Sequence, residues 1–194
     1  MRLPGTPSRP GLMVIDHQPA FAHPDSPWFC SALAEATRRI EELVPLYGDR
    51  VLFTRFVPPA EPQGSWRDYY EHWRFAVEPD ADWLWPVSHP WAHRPSIASH
   101  TFSKWTSEAR AFFGDETEIS LCGVSPHCCV MGTAFAAIDA GARVRVISDA
   151  CAAKSPDVQA RALDVLASRA PQLTIVTTAE ECRRLTLAGP QPQE

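Results

Sequence analysis

This sequence of 194 residues contains no long hydrophobic run. A membrane-spanning helix needs about 20 consecutive, mostly apolar residues, and no stretch of the chain has that character. Residues 1–10 are polar and rich in proline, unlike a secretion signal, in which a charged segment precedes an apolar one. We therefore expect a protein that stays in the cytoplasm and has no membrane partner.

The sequence also lacks an excess of positive charge. Its net charge is -5 at pH 7, and its only lysines are Lys104 and Lys154. A nucleic-acid-binding protein displaces counterions from phosphates with clustered lysine and arginine. The charge balance therefore argues against a nucleic-acid partner and favours a small-molecule substrate.

A regular spacing of cysteines is missing as well. We expect reduced thiols, because the cysteines do not follow the pattern of a small disulfide-bonded chain. The cysteines are Cys30, Cys122, Cys128, Cys129, Cys151 and Cys182.

The 45% of hydrophobic and 21% of charged residues are ordinary globular values, and the length suits a single domain over residues 1–194.

Short apolar runs alternate with stretches of helical periodicity along most of the chain. This alternation predicts a three-layer α/β/α, Rossmann-like fold with a mainly parallel six-stranded sheet. The predicted helices are 31–46, 107–113, 129–140 and two that begin near 155 and 178. The predicted strands are 12–15, 51–54, 97–102, 119–123, 144–147 and 173–176.

Local signals refine these helices. Ser31 is predicted to cap the first helix, and Ser155 is predicted to cap the helix that begins near 155. Thr178 and Glu181 have the spacing of a capping box for the last helix. The positions predicted to face the core in the second and fourth of these helices are Ala109, Phe112, Val158, Ala162, Val165 and Leu166.

Residues 57–96 break the alternation, because they are rich in proline and tryptophan and follow no single period. One interpretation is that their aromatic residues form core or a subunit interface. The other is a pocket wall for a flat or apolar acyl group, with Trp66 and Tyr70 facing the substrate. In that case Arg55, Arg67 or Arg74 could bind a carboxylate. The number of tryptophans also predicts self-association into a homo-oligomer.

Asp16 and Cys129 are the candidate reactive residues. Asp16 follows the first predicted strand and Cys129 follows the fourth, so both lie at carboxyl strand ends, where ligands bind in parallel sheets. Cys129 also begins a predicted helix, where backbone N–H groups lower the pKa of a thiol and favour a nucleophilic thiolate. The alternative is that Cys129 is a small buried core residue.

Two motifs support the reactive interpretation. Val14-Ile15-Asp16-His17-Gln18-Pro19-Ala20-Phe21 is similar to V-x-D-x-Q-x-x-F, and residues 123–134 are similar to G-V-x-T-x-x-C-V-x-x-T-A. Both patterns belong to the isochorismatase-like cysteine hydrolases, which this chain resembles over roughly residues 11–182. The alignment selects Cys129 rather than Cys128, and Pro126 departs from the usual threonine.

The resemblance implies an isochorismatase-like fold and specific roles. Cys129 would attack an acyl carbon, and Asp16 would accept its proton and later return it to the leaving group. Backbone N–H groups of Ser125 and Cys129 would hold the oxyanion, next to a cis peptide bond between Val124 and Ser125. Phe21 is assigned to substrate binding. The implied reaction is hydrolysis of a C–N bond in a small amide, ureido or carbamoyl compound, without a cofactor.

A metal site is not expected. Nicotinamidases of this family have aspartate and histidine ligands after the second strand, where this chain reads Arg55-Phe56-Val57-Pro58. The scattered histidines of residues 72–100 lack the close pairs of zinc sites.

The family lysine is also missing from its usual place, because its pattern K-x-x-[YF]-S-x-[WF] aligns with Ser99. An extended chain would place Lys104 about 16 Å away from that position. We expect Lys104 to be a solvated side chain, with Ser99 or His100 giving a neutral hydrogen bond in the site. Lys104→Ala should then cost less than about tenfold in rate and Asp16→Asn at least about a hundredfold. The alternative is that Lys104 folds back towards Asp16 as the third catalytic residue. A non-catalytic, ligand-binding protein of the same family is the alternative function.

Overall fold

Six parallel strands form one sheet in the computed structural model, which describes residues 9–114 and 118–187. The order across the sheet is β3-β2-β1-β4-β5-β6, and every neighbouring pair is parallel. The predicted α/β fold with six strands is confirmed. The strands are β1 (Gly11–Ile15), β2 (Val51–Phe56), β3 (Ser96–Ser99), β4 (Glu118–Val124), β5 (Arg143–Ala152) and β6 (Leu173–Val176).

The two central strands, β1 and β4, determine where a ligand can bind. From β1 the chain proceeds to β2 and β3 on one side, whereas β5 and β6 follow β4 on the other. At such a reversal of strand order the connections diverge and leave a crevice at the carboxyl ends of the strands. Asp16 directly follows β1 and Ser125 directly follows β4, so both lie at this crevice.

Helices cover the sheet on both faces. The helices α2 (Leu33–Tyr47) and α7 (Thr178–Leu187) pack against each other and against β5. On the other face, as right-handed crossovers require, α5 (Met131–Asp139) packs on β5 and α6 (Pro156–Ala167) packs on β6. Within the described residues no helix combines the length and apolar character needed to cross a bilayer. The other helices have the bounds α1 (Pro19–Ala22), α3 (Trp66–His72) and α4 (Ser107–Phe113).

The aromatic segment between β2 and β3 folds as α3 followed by two short 3₁₀ turns, Arg74–Val77 and Ala81–Leu84. Most of its tryptophans pack within the chain, and Trp83, with 49% of its surface exposed, is the large exception. Self-association remains a prediction. The surplus of tryptophan that suggested it is smaller than expected, because Trp85 and Trp91 are buried within this one chain and Trp66 and Trp73 are partly buried.

Three local predictions were wrong. Ser31 does not cap α2, which begins two residues later after Ala32. In α4, Phe113 is buried and Phe112 is 40% exposed, because the ring of Phe113 packs beside Gly11 of β1. Val165 of α6 is likewise exposed, whereas the predicted Ser155 cap is confirmed by a hydrogen bond from Val158 N.

The capping box of α7 lies one residue earlier than predicted. Thr177 N donates to Glu180 Oε2 at 2.7 Å, and Glu180 N donates to the Thr177 hydroxyl at 3.3 Å. This register moves Glu181 to the inner face of α7, where the residue is fully buried. The sequence pattern had assigned Glu181 to a capping position, which is normally close to solvent.

Glu181 is the centre of a buried hydrogen-bond network beneath the sheet. Tyr47 and Ser120 donate to its Oε1 at 2.5 and 2.9 Å, and Arg145 and Arg184 donate from the partly exposed side. Burial opposes ionisation of Glu181. The hydrogen bonds from Arg184, Tyr47 and Arg145 outweigh burial and lower the pKa of Glu181 to about 2.

We predict that Glu181→Gln lowers the free energy of unfolding at pH 7 by roughly 3 kcal/mol, because it breaks a buried charged network. The pKa is depressed in the folded state, so the stabilisation is complete above the ordinary glutamate pKa and disappears as the pH falls towards 2. Urea unfolding at pH 7 and pH 3 should therefore give a smaller difference between variant and wild type at pH 3. An equal difference at both pH values would contradict the assigned role of the charge.

Candidate active site

Asp16 lies at the end of β1 and is fully buried. Its backbone has a left-handed φ of 51°, a conformation that aspartate tolerates better than most residues. The Thr54 hydroxyl donates to Asp16 Oδ1 at 2.8 Å and accepts from Asp16 N at 3.2 Å. Thr54 of the neighbouring strand thus fixes both the backbone and one carboxylate oxygen. The other oxygen, Oδ2, is buried and has no hydrogen-bond partner among the described residues.

The prediction that Lys104 is solvated was wrong. Its side chain is fully buried, and its ammonium lies 3.2 Å from Asp16 Oδ2. The ammonium also donates to the carbonyl oxygens of Thr101 at 2.8 Å and Ser99 at 3.4 Å, and it lies 4.7 Å from the centre of the Phe56 ring. Ser99, the residue aligned with the family lysine, therefore contributes only a backbone carbonyl to this site.

A bend of the chain brings Lys104 to Asp16. Residues 100–102 turn after β3 instead of continuing as the predicted strand, so the extended-chain distance does not apply. Thr133 of α5 then anchors the segment: its hydroxyl accepts from Lys104 N at 2.9 Å and donates to Cys129 O at 2.6 Å. The lysine and the cysteine are thereby held by the same threonine.

Cys129 lies in a single π-helical turn, Pro126–Val130, that joins β4 to α5. The predicted helix start at Cys129 is thus a wider turn, and α5 begins at Met131. The predicted cis peptide bond between Val124 and Ser125 is confirmed. Ser125 O accepts from Cys128 N at 2.9 Å and from Val130 N at 3.2 Å, which closes the turn around the cysteine.

The environment of Cys129 favours a neutral thiol. Its pKa is raised by a hydrogen bond with the Cys128 thiol, by burial and by the Asp16 carboxylate, and the Lys104 ammonium opposes these effects only in part. This direction is opposite to that predicted from a helix start. A reaction at Cys129 consequently needs a base, and Asp16 Oδ2 is the candidate. Among the described residues no donor hydrogen-bonds to this oxygen, and its contact with Lys104 is electrostatic.

A cavity of about 300 Å³ opens above these residues. Its base contains Ser125, Cys128 and Cys129, and aromatic rings form most of its wall. Trp28 lies outside the aromatic segment in sequence. Its ring contacts the rings of Phe21, Phe56 and Trp73, which also line the cavity. The other lining residues are Phe21, Pro27, Cys30, Phe56, Tyr69, Trp73, Phe102, His127 and Lys154.

The structure places the predicted substrate-binding residues differently. Phe21 lines the cavity, but Tyr70 is buried behind the wall and the next face of α3 presents Tyr69 instead. Trp66 packs on the outer side of Phe102, with ring centres 5.0 Å apart. Arg55 donates to the Ser96 hydroxyl at 2.9 Å and, like Ser99, does not line the cavity.

Gln18 is a positioning residue to which the sequence assigned no role. Its fully buried side chain accepts from Phe56 N at 2.8 Å and donates to Phe56 O at 3.1 Å and Trp85 O at 2.7 Å. These bonds tie the aromatic segment to the strand that supplies Thr54. Its place in the first motif, two residues after Asp16, was the available signal.

The described residues contain no group of three or more histidine, cysteine, aspartate and glutamate side chains arranged to hold a metal ion. The groups next to the Asp16 carboxylate are the Lys104 ammonium and the Thr54 hydroxyl, so it is part of an ion pair.

Comparisons with known proteins identify the fold and the family of this chain. The sequence matches no curated protein at a significant level. Similar solved structures include a cysteine hydrolase from Pseudomonas syringae pv. phaseolicola 1448A, at 23% identity with a TM-score of 0.78, covering 96% of this chain and 97% of that one. An isochorismatase-like hydrolase from Alkaliphilus metalliredigens is 17% identical with a TM-score of 0.72, covering 91% and 98%.

A third similar structure is N-carbamoylsarcosine amidase from Thermoplasma acidophilum, at 18% identity with a TM-score of 0.66, covering 88% of this chain and 96% of that one. At these identities the three structures establish the shared fold. The family model of the isochorismatase domain matches residues 10–181. With its parallel sheet and the motif residues assembled at one crevice, this chain belongs to the isochorismatase family of hydrolases.

Proposed function

We propose that this protein is a cysteine-dependent hydrolase that cleaves a C–N bond of a small amide, ureido or carbamoyl compound through a covalent acyl-enzyme. The observation that carries the proposal is the buried Asp16–Lys104 ion pair, whose two charges both act on the Cys129 thiol. The name of the similar N-carbamoylsarcosine amidase favours the same class of bond.

In the first step the Cys129 thiol gives its proton to Asp16 Oδ2 as the sulfur attacks the acyl carbon. The carbonyl π electrons move to oxygen, and the N–H groups of Ser125 and Cys129 would stabilise this oxyanion. Because the pKa of the thiol is raised, proton transfer and attack are coupled and no thiolate accumulates beforehand.

In the second step the intermediate collapses and the C–N bond breaks. Asp16 returns the proton to the departing nitrogen, which leaves as an amine or ammonia, and the acyl group stays on the sulfur. Water then attacks the thioester while Asp16 accepts a proton from it, and the sulfur leaves and recovers that proton. Asp16 thus acts twice as base and twice as acid.

Lys104 keeps the balance of charge through this cycle. Before reaction its ammonium pairs with the ionised Asp16. When Asp16 is protonated, the ammonium is available to the negative charge that has moved to sulfur and oxygen. This role needs a positive charge that cannot leave the site, and full burial with two carbonyl acceptors fixes it there.

A non-catalytic, ligand-binding protein was the alternative, and its basis was the absence of lysine at position 99. Since Lys104 supplies an ammonium to Asp16 from another position, that basis is lost. We propose the enzymatic function alone.

Cys129→Ala is expected to abolish hydrolysis of any substrate found in a panel of small amides and ureides, while far-ultraviolet circular dichroism stays unchanged. Cys128→Ala is the matched control, because it removes the adjacent thiol from the same turn. It should retain at least about a tenth of the activity. If Cys129→Ala keeps more than a few per cent of the rate, or if only Cys128→Ala is inactive, the assigned nucleophile is wrong.

Asp16→Asn and Lys104→Met should each lower kcat by at least about a hundredfold, which revises the expectation that Lys104 matters little. Each single variant also breaks a buried ion pair and should lose roughly 3 kcal/mol of stability. The double variant removes both charges, so it should recover stability without recovering activity. Urea unfolding and kcat measured on all three variants separate the two effects. Recovery of activity in the double variant would show that the pair serves stability alone.

A further inference from the structure

Lys154 is the second lysine of the chain and has no role in the proposed reaction. It follows β5 by two residues, is exposed, and lines the cavity that opens above Cys129. Among the described residues no carboxylate forms an ion pair with it. Its charge is therefore available to a ligand.

The other described residues that line the cavity contribute no compensating charge. They include no aspartate or glutamate, and Asp16 beneath the cavity is already paired with Lys104. His127 also lines the cavity, but burial and the nearby charge of Lys154 lower its pKa, so the imidazole is neutral at pH 7. Lys154 is thus the cationic group among the lining residues of the described chain.

The wall of the cavity is apolar. The rings of Phe21, Trp28, Tyr69, Trp73 and Phe102 surround the space between the thiol and Lys154. Aromatic walls of this kind bind a flat or apolar body, and they also bind quaternary ammonium ions when a cage lacks competing positive charge. Lys154 disfavours a cationic ligand here, because like charges repel in a partly dehydrated site.

We propose that the substrate is a small amide or carbamoyl compound with an apolar or aromatic body and a carboxylate, and that Lys154 binds this carboxylate. The inference rests on the proposed function for the position of the scissile bond at Cys129. The body would lie against the aromatic wall, and the carboxylate would face the ammonium at the cavity edge. A cavity of about 300 Å³ has room for a ligand of that kind.

The test uses three probes: N-carbamoylphenylalanine, the uncharged N-carbamoyl-2-phenylethylamine, and N-carbamoylglycine, which has the carboxylate without the ring. We expect kcat/KM to be highest for the first probe, by at least about tenfold over each of the others, as a charge-assisted hydrogen bond and an aromatic contact allow. Lys154→Met should remove most of the advantage of the first probe over the uncharged one, mainly through KM. Lys154→Arg, which keeps the charge, should restore most of it.

Two results would overturn the inference. In one, Lys154→Met lowers kcat/KM for the charged and uncharged probes by the same factor, which indicates a structural role. In the other, the uncharged probe is hydrolysed as well as the charged one by wild type. Either result leaves C–N hydrolysis at Cys129 intact, so the two proposals fail separately.

Calorimetric binding of the same probes covers the case in which none is hydrolysed. Binding of N-carbamoylphenylalanine that exceeds that of the uncharged probe and is lost in Lys154→Met supports carboxylate recognition although the proposed reaction has failed. Absence of such charge-dependent binding overturns the inference.

Discussion

The buried ion pair between Asp16 and Lys104 is the interaction on which this structure depends. Transferring two charges from water into a protein interior is costly, and the mutual attraction compensates only when the remaining polar atoms are satisfied. Here Thr54 donates to the carboxylate, and the carbonyls of Ser99 and Thr101 accept from the ammonium. The end of β1, strand β2 and residues 99–104 are distant in sequence, and they must therefore fold together before either charge is tolerated.

The close packing of β1 and β4 determines how near the cysteine lies to this pair. Gly123 adopts a left-handed φ of 104°, and a side chain there would collide with the backbone of Ile15. Glycine is required for both reasons, since L side chains rarely adopt this conformation and no space exists for one. The turn that holds Cys129 begins three residues later, at Pro126, and Asp16, which follows Ile15 in sequence, acts electrostatically on the Cys129 thiol.

The exclusion of water from this site acts differently on the Cys129 thiol and on the Lys104 ammonium. The hydrogen bond with the Cys128 thiol, together with burial, raises the pKa of Cys129, so the resting thiol is neutral and is protected from premature ionisation. The same exclusion of water strengthens the influence of Lys104 on any negative charge that develops during reaction. In the proposed reaction, ionisation of the thiol is therefore coupled to substrate binding, and the aromatic cavity would select the acyl group that reaches the sulfur.

Sequence alone predicted the sheet and placed Asp16 and Cys129 at the carboxyl ends of two strands, because buried parallel strands are continuous apolar runs. The proposal that these two residues react came from the motifs that the chain shares with the family. Periodicity did not locate Lys104, since a bend at residues 100–102 shortens a path that an extended chain would make too long. It assigned Tyr70 rather than Tyr69 to the cavity, because the faces of a short helix differ by one residue and only packing selects between them. The direction of the Cys129 pKa likewise depended on the folded structure, because the hydrogen bond with the Cys128 thiol, burial and the Asp16 carboxylate raise it, and the helix start expected from the sequence is a π-helical turn.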